Sequence, residues 1–181
     1  MPVKFSGIFT ALDLFRQGWR PPWPDGPFKS AKSVSITLCT ANKENGLRQL
    51  ENDDGLTAAT SIAGKPGRTL QLPKRKNGYI YFSIDDSFKA NIAKSAIIEV
   101  EYFVAAPGTL ALEFDGSDPT ARFSGAYSRS PDTAKLNGTR EWKRTHFTMD
   151  RPRFYNSQNR GADFRLVLPP DLTIGTVTLR P

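Results

Sequence analysis

The stretch Ile98-Glu99-Val100-Glu101-Tyr102-Phe103-Val104, followed beyond Pro107-Gly108 by Leu110-Ala111-Leu112-Glu113-Phe114, decides the fold class. Successive side chains of a strand point to opposite faces, so Ile98, Val100 and Tyr102 share one face and Glu99 and Glu101 the other. Pro107-Gly108 predicts a short turn joining the two runs as a hairpin. The same period of two recurs in Val34-Ser35-Ile36-Thr37-Leu38, in Leu70-Gln71-Leu72 and in Ile80-Tyr81-Phe82-Ser83-Ile84. It returns in Trp142 to Met149, in Phe164-Arg165-Leu166-Val167-Leu168 and in Ile174-Gly175-Thr176-Val177-Thr178-Leu179. About eight strands are expected on this pattern. The one helical candidate is short, near Ser87 to Ala93, with Asp85, Asp86 or Ser87 as its cap, so the chain should hold at most one or two short helices. Strands with a polar outward side belong to antiparallel sheets solvated on one face. Two such sheets packed face to face give an all-β, two-sheet β-sandwich of the jelly-roll kind. There is no internal repeat and no alternation of strand with helix, which argues against a parallel α/β fold.

The chain is 181 residues and 20.1 kDa, the size of one domain that buries a real core without metal or disulfide staples. Twelve Phe, five Tyr and three Trp are too much aromatic surface for a disordered chain, and mean hydropathy is −0.45. No run of about 18 apolar residues is present to span a membrane as a helix. A single cysteine, Cys39, excludes an intrachain disulfide and a Cys-rich zinc site. A single histidine, His146, weighs against a His-based triad or a two-His metal site. The formal charge is +7, and it is unevenly placed. Residues 1–119 hold 14 Lys/Arg against 13 Asp/Glu, whereas residues 120–181 hold 11 against 5. Most cations of the last third are Arg, whose planar fork suits carboxylate, sulfate or phosphate. That favours an acidic polymer as partner. The densest basic run is only Lys74-Arg75-Lys76, and Asn77-Gly78 marks it as a turn, so nucleic acid is not favoured.

Residues 1–30 read as an N-terminal extension or linker, and residues 31–181 as the β-sandwich domain. Ile8 to Phe15 is a short apolar segment, after which Trp19-Arg20-Pro21-Pro22-Trp23-Pro24 interrupts regular structure. Met1–Trp19 lacks the layout of a secretory signal peptide. Trp19 and Trp23, beside prolines, are candidate sugar-stacking residues, with pinning of an irregular segment to the core as the favoured alternative. Phe114 to Trp142 is the least regular part of the domain, with a strand expected near Ala121 to Tyr127.

Several blocks carry a resemblance. Asn77-Gly78-Tyr79-Ile80-Tyr81-Phe82-Ser83-Ile84-Asp85-Asp86-Ser87-Phe88 leads into Ile98-Glu99-Val100-Glu101-Tyr102-Phe103, then Gly108-Thr109-Leu110-Ala111-Leu112-Glu113-Phe114-Asp115. Trp142-Lys143-Arg144, Phe147, Arg153-Phe154-Tyr155-Asn156 and Gly161-Ala162-Asp163-Phe164-Arg165-Leu166 follow in order. Over roughly residues 34–181 the chain resembles the galactose-binding-like β-sandwich modules attached to secreted bacterial polysaccharide-degrading enzymes. The resemblance implies a non-catalytic carbohydrate-binding or accessory module, a structural calcium ion in many cases, and an extracellular or periplasmic setting. Residues 1–30 fall outside the pattern.

Catalysis would need paired carboxylates. Glu99 and Glu101 share a strand face, and retaining glycoside hydrolysis requires two carboxyls about 5–5.5 Å apart. Their alternation with Ile98, Val100 and Tyr102 turns them to solvent, which argues for a binding role. For calcium, which takes about six to eight oxygen ligands, the candidates are Glu51, Asp53 and Asp163, beside the Asp115-to-Asp118 loop. Cys39 reads as a buried inert thiol and His146 as an outward residue. Trp142 reads as a core or sheet-anchoring residue, and Phe154 and Asn156 as structural. Sugar recognition needs an aromatic face flanked by planar hydrogen-bonding groups. Tyr127 and Arg129 in the long segment, with Asn159 and Arg160 before the Asp163 strand, supply that mixture. The expected function is a non-catalytic carbohydrate-binding module holding an associated glycoside hydrolase or lyase on a polysaccharide, an anionic one by the charge. The alternatives are a structural accessory domain packing on a catalytic domain, and a stand-alone jelly-roll glycosidase or lyase.

Overall fold

The computed structural model describes residues 23–71 and 77–181. The Ile8–Phe15 segment, Trp19, Leu72 and the Lys74–Lys76 turn lie outside the described residues. Among the described residues twelve strands form, in chain order: β1 (Val34–Thr37), β2 (Lys43–Asn45), β3 (Leu47–Leu50), β4 (Thr57–Ile62), β5 (Lys65–Leu70) and β6 (Gly78–Ile84), then β7 (Ser95–Val104), β8 (Pro107–Phe114), β9 (Ser128–Asn137), β10 (Trp142–Asp150), β11 (Phe164–Leu168) and β12 (Leu172–Arg180). A single turn of helix, α1 (Asp86–Lys89), starts where the Asp85 carboxylate accepts the Ser87 N–H. Two 3-10 turns, Arg122–Gly125 and Asn159–Gly161, complete the elements of the described residues.

The strands form two antiparallel sheets, as the alternation predicts. One has seven strands, ordered β10-β7-β12-β1-β2, with β5 also on β12 and β4 on β5. The other has five, ordered β3-β6-β11-β8-β9. Inward residues of both meet in one core that includes Ile36, Ile98, Val100 and Phe147 from the first sheet and Ile80, Phe82, Leu112 and Leu166 from the second. Phe82 and Phe164, paired across β6 and β11, stack at 5.0 Å with 14° between their planes. Phe28 packs on the same core, and its N–H donates to Ser87 Oγ at 3.1 Å, so the described end of the leading segment is docked onto α1.

Three expectations are corrected. The runs Ile98–Val104 and Leu110–Phe114 do not form a hairpin: β7 pairs with β10 and β12, whereas β8 pairs with β9 and β11. The chain crosses the core between them, and β9 returns to β10 in the same way. Either arrangement buries the same side of each strand, so the alternation does not choose between them. Second, the segment before Trp142 holds a ten-residue strand, β9, starting at Ser128, while Arg122–Gly125 is a 3-10 turn. As the edge strand of its sheet β9 tolerates Pro131, the residue that obscures it in sequence. Third, strands outnumber the expected eight because β2, β3 and β4 are short, largely polar and carry no clear alternation.

Candidate functional site

The outer face of the five-stranded sheet carries the chemistry. Because Ile80, Phe82, Phe164 and Leu166 point inward, their neighbours Tyr79, Tyr81 and Arg165 point out. The register lines up Tyr81, Arg165, Glu113 and Arg129 in a row across β6, β11, β8 and β9. Arg165 donates from Nε (2.8 Å) and Nη2 (2.5 Å) to Glu113 Oε2, and from Nη1 to the Tyr81 hydroxyl at 2.9 Å. Arg129 Nε donates to Glu113 Oε1 at 3.1 Å, so one buried carboxylate holds two arginines. The Arg165 guanidinium carbon lies 3.8 Å from the centre of the Tyr79 ring and 4.2 Å from that of Tyr127, between two aromatic rings. Burial acts to lower the Arg165 pKa, but the Glu113 carboxylate outweighs it and the guanidinium is held above its ordinary value. Burial pushes the Tyr81 hydroxyl up to about 12, so it stays protonated and donates to Asp54 Oδ2 at 3.0 Å.

Loops extend the row at both ends. Tyr127 donates its hydroxyl to Asn159 Oδ1 at 2.9 Å and accepts the Asn159 N–H at 3.1 Å. Asn159 Nδ2 in turn donates to Tyr81 at 3.2 Å. Arg160 Nε reaches Asn52 Oδ1 at 3.5 Å, and Asn52 Nδ2 donates to Asp54 Oδ1. Gln158, buried, ties this loop to the Glu113 and Ala126 carbonyls. Phe123 meets the Tyr127 ring edge-on at 5.6 Å and is 62 % exposed. Its φ of 54° lies in the left-handed region, as does that of Ser124, and both are costly for residues with a Cβ. Gly125 follows at φ 84°, where a Cβ would stand 2.6 Å from the Gly116 carbonyl oxygen. The strained turn holds the Phe123 ring largely in solvent, with the Arg122 guanidinium carbon 4.7 Å from its centre.

Of the sequence candidates, Tyr127, Arg129, Asn159 and Arg160 are thus brought to one face. Trp23 is placed elsewhere: its ring packs on Tyr155 at 5.6 Å and lies 5.2 Å from Lys89 Nζ. Sequence reasoning missed Tyr79, Tyr81, Glu113, Arg165 and Phe123. The available signal was aromatic and charged residues at outward positions of otherwise apolar strands.

The carboxylates proposed for calcium do not fit such a site. Asp163 accepts from Lys89 Nζ (3.0 Å), Asn156 N (3.2 Å) and Ile84 N (2.8 Å), and Lys89 also contacts Asp86 and Asn156. A buried ammonium already neutralises it. Glu51 accepts from Thr57 and Arg68, and Asp53 stands in the turn after β3. Among the described residues no group of three or more His, Cys, Asp or Glu converges. A groove of about 450 Å³ beside β3 and α1 is lined by Glu44, Arg48, Asp85 and Asp86. Its acidic groups are already engaged, Asp85 as the helix cap, Asp86 on Lys89 and Glu44 on Arg48.

Glu99 and Glu101 point outward from the seven-stranded sheet, away from this face. Glu101 is held by Lys65 (2.8 Å) and Arg144 (3.4 Å), and the Lys65 bond lowers its pKa, which opposes use as an acid. His146 is exposed opposite Glu99. Trp142 anchors the sheet, its Nε1 donating to the Ile62 carbonyl at 2.9 Å. Cys39 is half-buried rather than buried, because it lies just past the end of β1 where its thiol meets the Ala41 carbonyl.

No protein-family model matches the chain, and no curated protein matches it in sequence. Among solved structures it is similar to a family 29 carbohydrate-binding module from Piromyces equi, at 12% identity and a TM-score of 0.47 over 83% of this chain and 93% of that one. It is similar to the CBM22-1 xylan-binding domain of Paenibacillus barcinonensis Xyn10C, at 12% identity and a TM-score of 0.46 over 81% and 93%. A third is a carbohydrate-binding module of Cellvibrio mixtus lichenase 5A solved with cellotriose, at 12% identity and a TM-score of 0.40 over 81% and 95%. Among the described residues no helix is long and apolar enough to cross a membrane.

Proposed function

We propose that this chain is a carbohydrate-binding module that holds an associated glycoside hydrolase or lyase on a polysaccharide outside the cytoplasm. The observation that carries the reading is the aromatic and arginine face of the five-stranded sheet, with Phe123 exposed at its margin. A pyranose has an apolar C–H face that packs on an aromatic ring, and equatorial hydroxyls that need planar donors and acceptors around it. Phe123 and Tyr127 supply rings, and Asn159, Arg160 and Arg129 the hydrogen-bonding edges. Their mutual bonds set the geometry before a ligand arrives, which lowers the ordering cost of binding. Glu113 and Asp54, the carboxylates of the face, are committed to Arg165, Arg129, Tyr81 and Asn52, an arrangement for holding side chains rather than for proton transfer.

Affinity electrophoresis through gels containing xylan, β-glucan, mannan, polygalacturonate or alginate tests this. At least one polymer should retard the protein. Phe123→Gly should weaken that binding about tenfold through loss of the stacking ring. The same variant should leave the melting temperature unchanged or raised, since glycine relieves about 1 kcal/mol of left-handed strain. A mobility that no polysaccharide alters would overturn the reading.

A further inference from the structure

The arginines of this face divide into two kinds. Arg165 uses Nε, Nη1 and Nη2 on Glu113 and Tyr81 and is covered by two rings, so it is part of the wall. Arg129 and Arg160 are different. Each is held by Nε alone, Arg129 on Glu113 at 3.1 Å and Arg160 on Asn52 at 3.5 Å, and among the described residues neither makes another hydrogen bond or ion pair. Both are exposed, Arg129 with 83% of its side chain in solvent. Each Nε is engaged, and among the described residues no partner takes the terminal nitrogens of either exposed guanidinium. That is half of a bidentate pair, waiting for an oxyanion.

Their placement adds direction. Arg129 stands three strands from Tyr81 in the row, about 14 Å at ordinary strand spacing. Arg160 lies beyond Tyr81, on the Asn52–Asp54 side. The two arginines are therefore tied to opposite ends of the row, Arg129 at Glu113 and Arg160 on the Asn52–Asp54 side of Tyr81.

We infer that this face takes an acidic polysaccharide, whose carboxylate or sulfate groups are gripped by Arg129 and Arg160 while the sugar rings between lie on the aromatic side chains. The inference rests on the carbohydrate-binding reading and names its substrate class. A neutral glycan would meet the two forks only through hydroxyls and leave their charge without a counterion.

Titration calorimetry with alginate, polygalacturonate and chondroitin sulfate tests it, each beside its carboxyl-reduced or desulfated form, with xylan, β-glucan and single-stranded DNA as further arms. At least one native acidic polymer should bind, and removing its charged groups should weaken binding tenfold or more. The arm that loses affinity tells carboxylate from sulfate. Arg129→Gln and Arg160→Gln should each weaken the native polymer about tenfold, the scale of a charge-assisted hydrogen-bond pair. Their melting temperatures should match the wild type, because both side chains are exposed. Equal affinity for native and neutralised polymers, or binding to xylan or β-glucan alone, overturns the acidic class and leaves carbohydrate binding standing. Tightest binding to single-stranded DNA, or no binding to any polymer, overturns both.

Discussion

Asp163 and Lys89 meet in the interior at 3.0 Å, with side chains 0% and 1% exposed. Burial raises the Asp163 carboxyl from its ordinary 3.8 to about 6, although Lys89 and the amides of Ile84 and Asn156 pull it down. The folded protein therefore binds this proton more tightly than the unfolded chain. The resulting stabilisation is fully present below about pH 4 and is lost as pH rises through about 6, on the order of 2–3 kcal/mol in all. The double variant Lys89→Met with Asp163→Asn carries neither charge. Its urea-unfolding free energy, subtracted from that of the wild type at each pH, should isolate this slope between pH 4 and 6. A flat difference across that window refutes the assignment. At this scale the sequence identifies Asp163 as a notable acid but not the lysine that meets it, since the two lie far apart along the chain.

Asp115, one residue past β8, organises a whole connection. Its Oδ1 accepts from Arg153 Nε (3.1 Å) and Nη2 (2.7 Å), and its Oδ2 from the amides of Tyr155 (2.7 Å) and Ser157 (3.3 Å). Its backbone carbonyl takes the amides of Arg153 and Phe154. This loop runs on to Asn159 and Arg160, so the anchor positions part of the candidate site. Asp115→Ala leaves a largely covered arginine and two amides without their acceptor and should cost about 3–5 kcal/mol. Urea denaturation measures the loss, and faster exchange of the Tyr155 and Ser157 amides locates it. Stability within about 1 kcal/mol of wild type would show that the loop is held by something else. The elements themselves were legible wherever apolar and polar residues alternate, as in β1, β6, β7, β8 and β11. They were illegible in β2, β4 and β9, which are polar edge or near-edge strands whose partners, rather than their own composition, keep them extended.

Across the whole molecule, two sheets share one core, with Phe164 between Phe82 and Phe114 in the register. Phe164→Ala removes the stacked ring at its centre and should cost about 3–5 kcal/mol. Because neither sheet has a second core to fall back on, the loss should appear in both together. Far-UV circular dichroism and tryptophan fluorescence should trace a single transition at a lower urea midpoint. Separate midpoints would mean that the sheets unfold independently.

The amino-acid order alone determined that the chain is all-β, which side of each alternating strand faces the core, and that its basic charge gathers in the last third. Those properties are local: a period of two is written in each segment whatever it pairs with. Tertiary structure decided that β7 and β8 lie in different sheets, and that Tyr79, Arg165, Glu113, Tyr127 and Asn159 meet on one face. Pairing and convergence depend on contacts between distant segments around a common core, and a strand buries the same side chains whichever neighbour it takes.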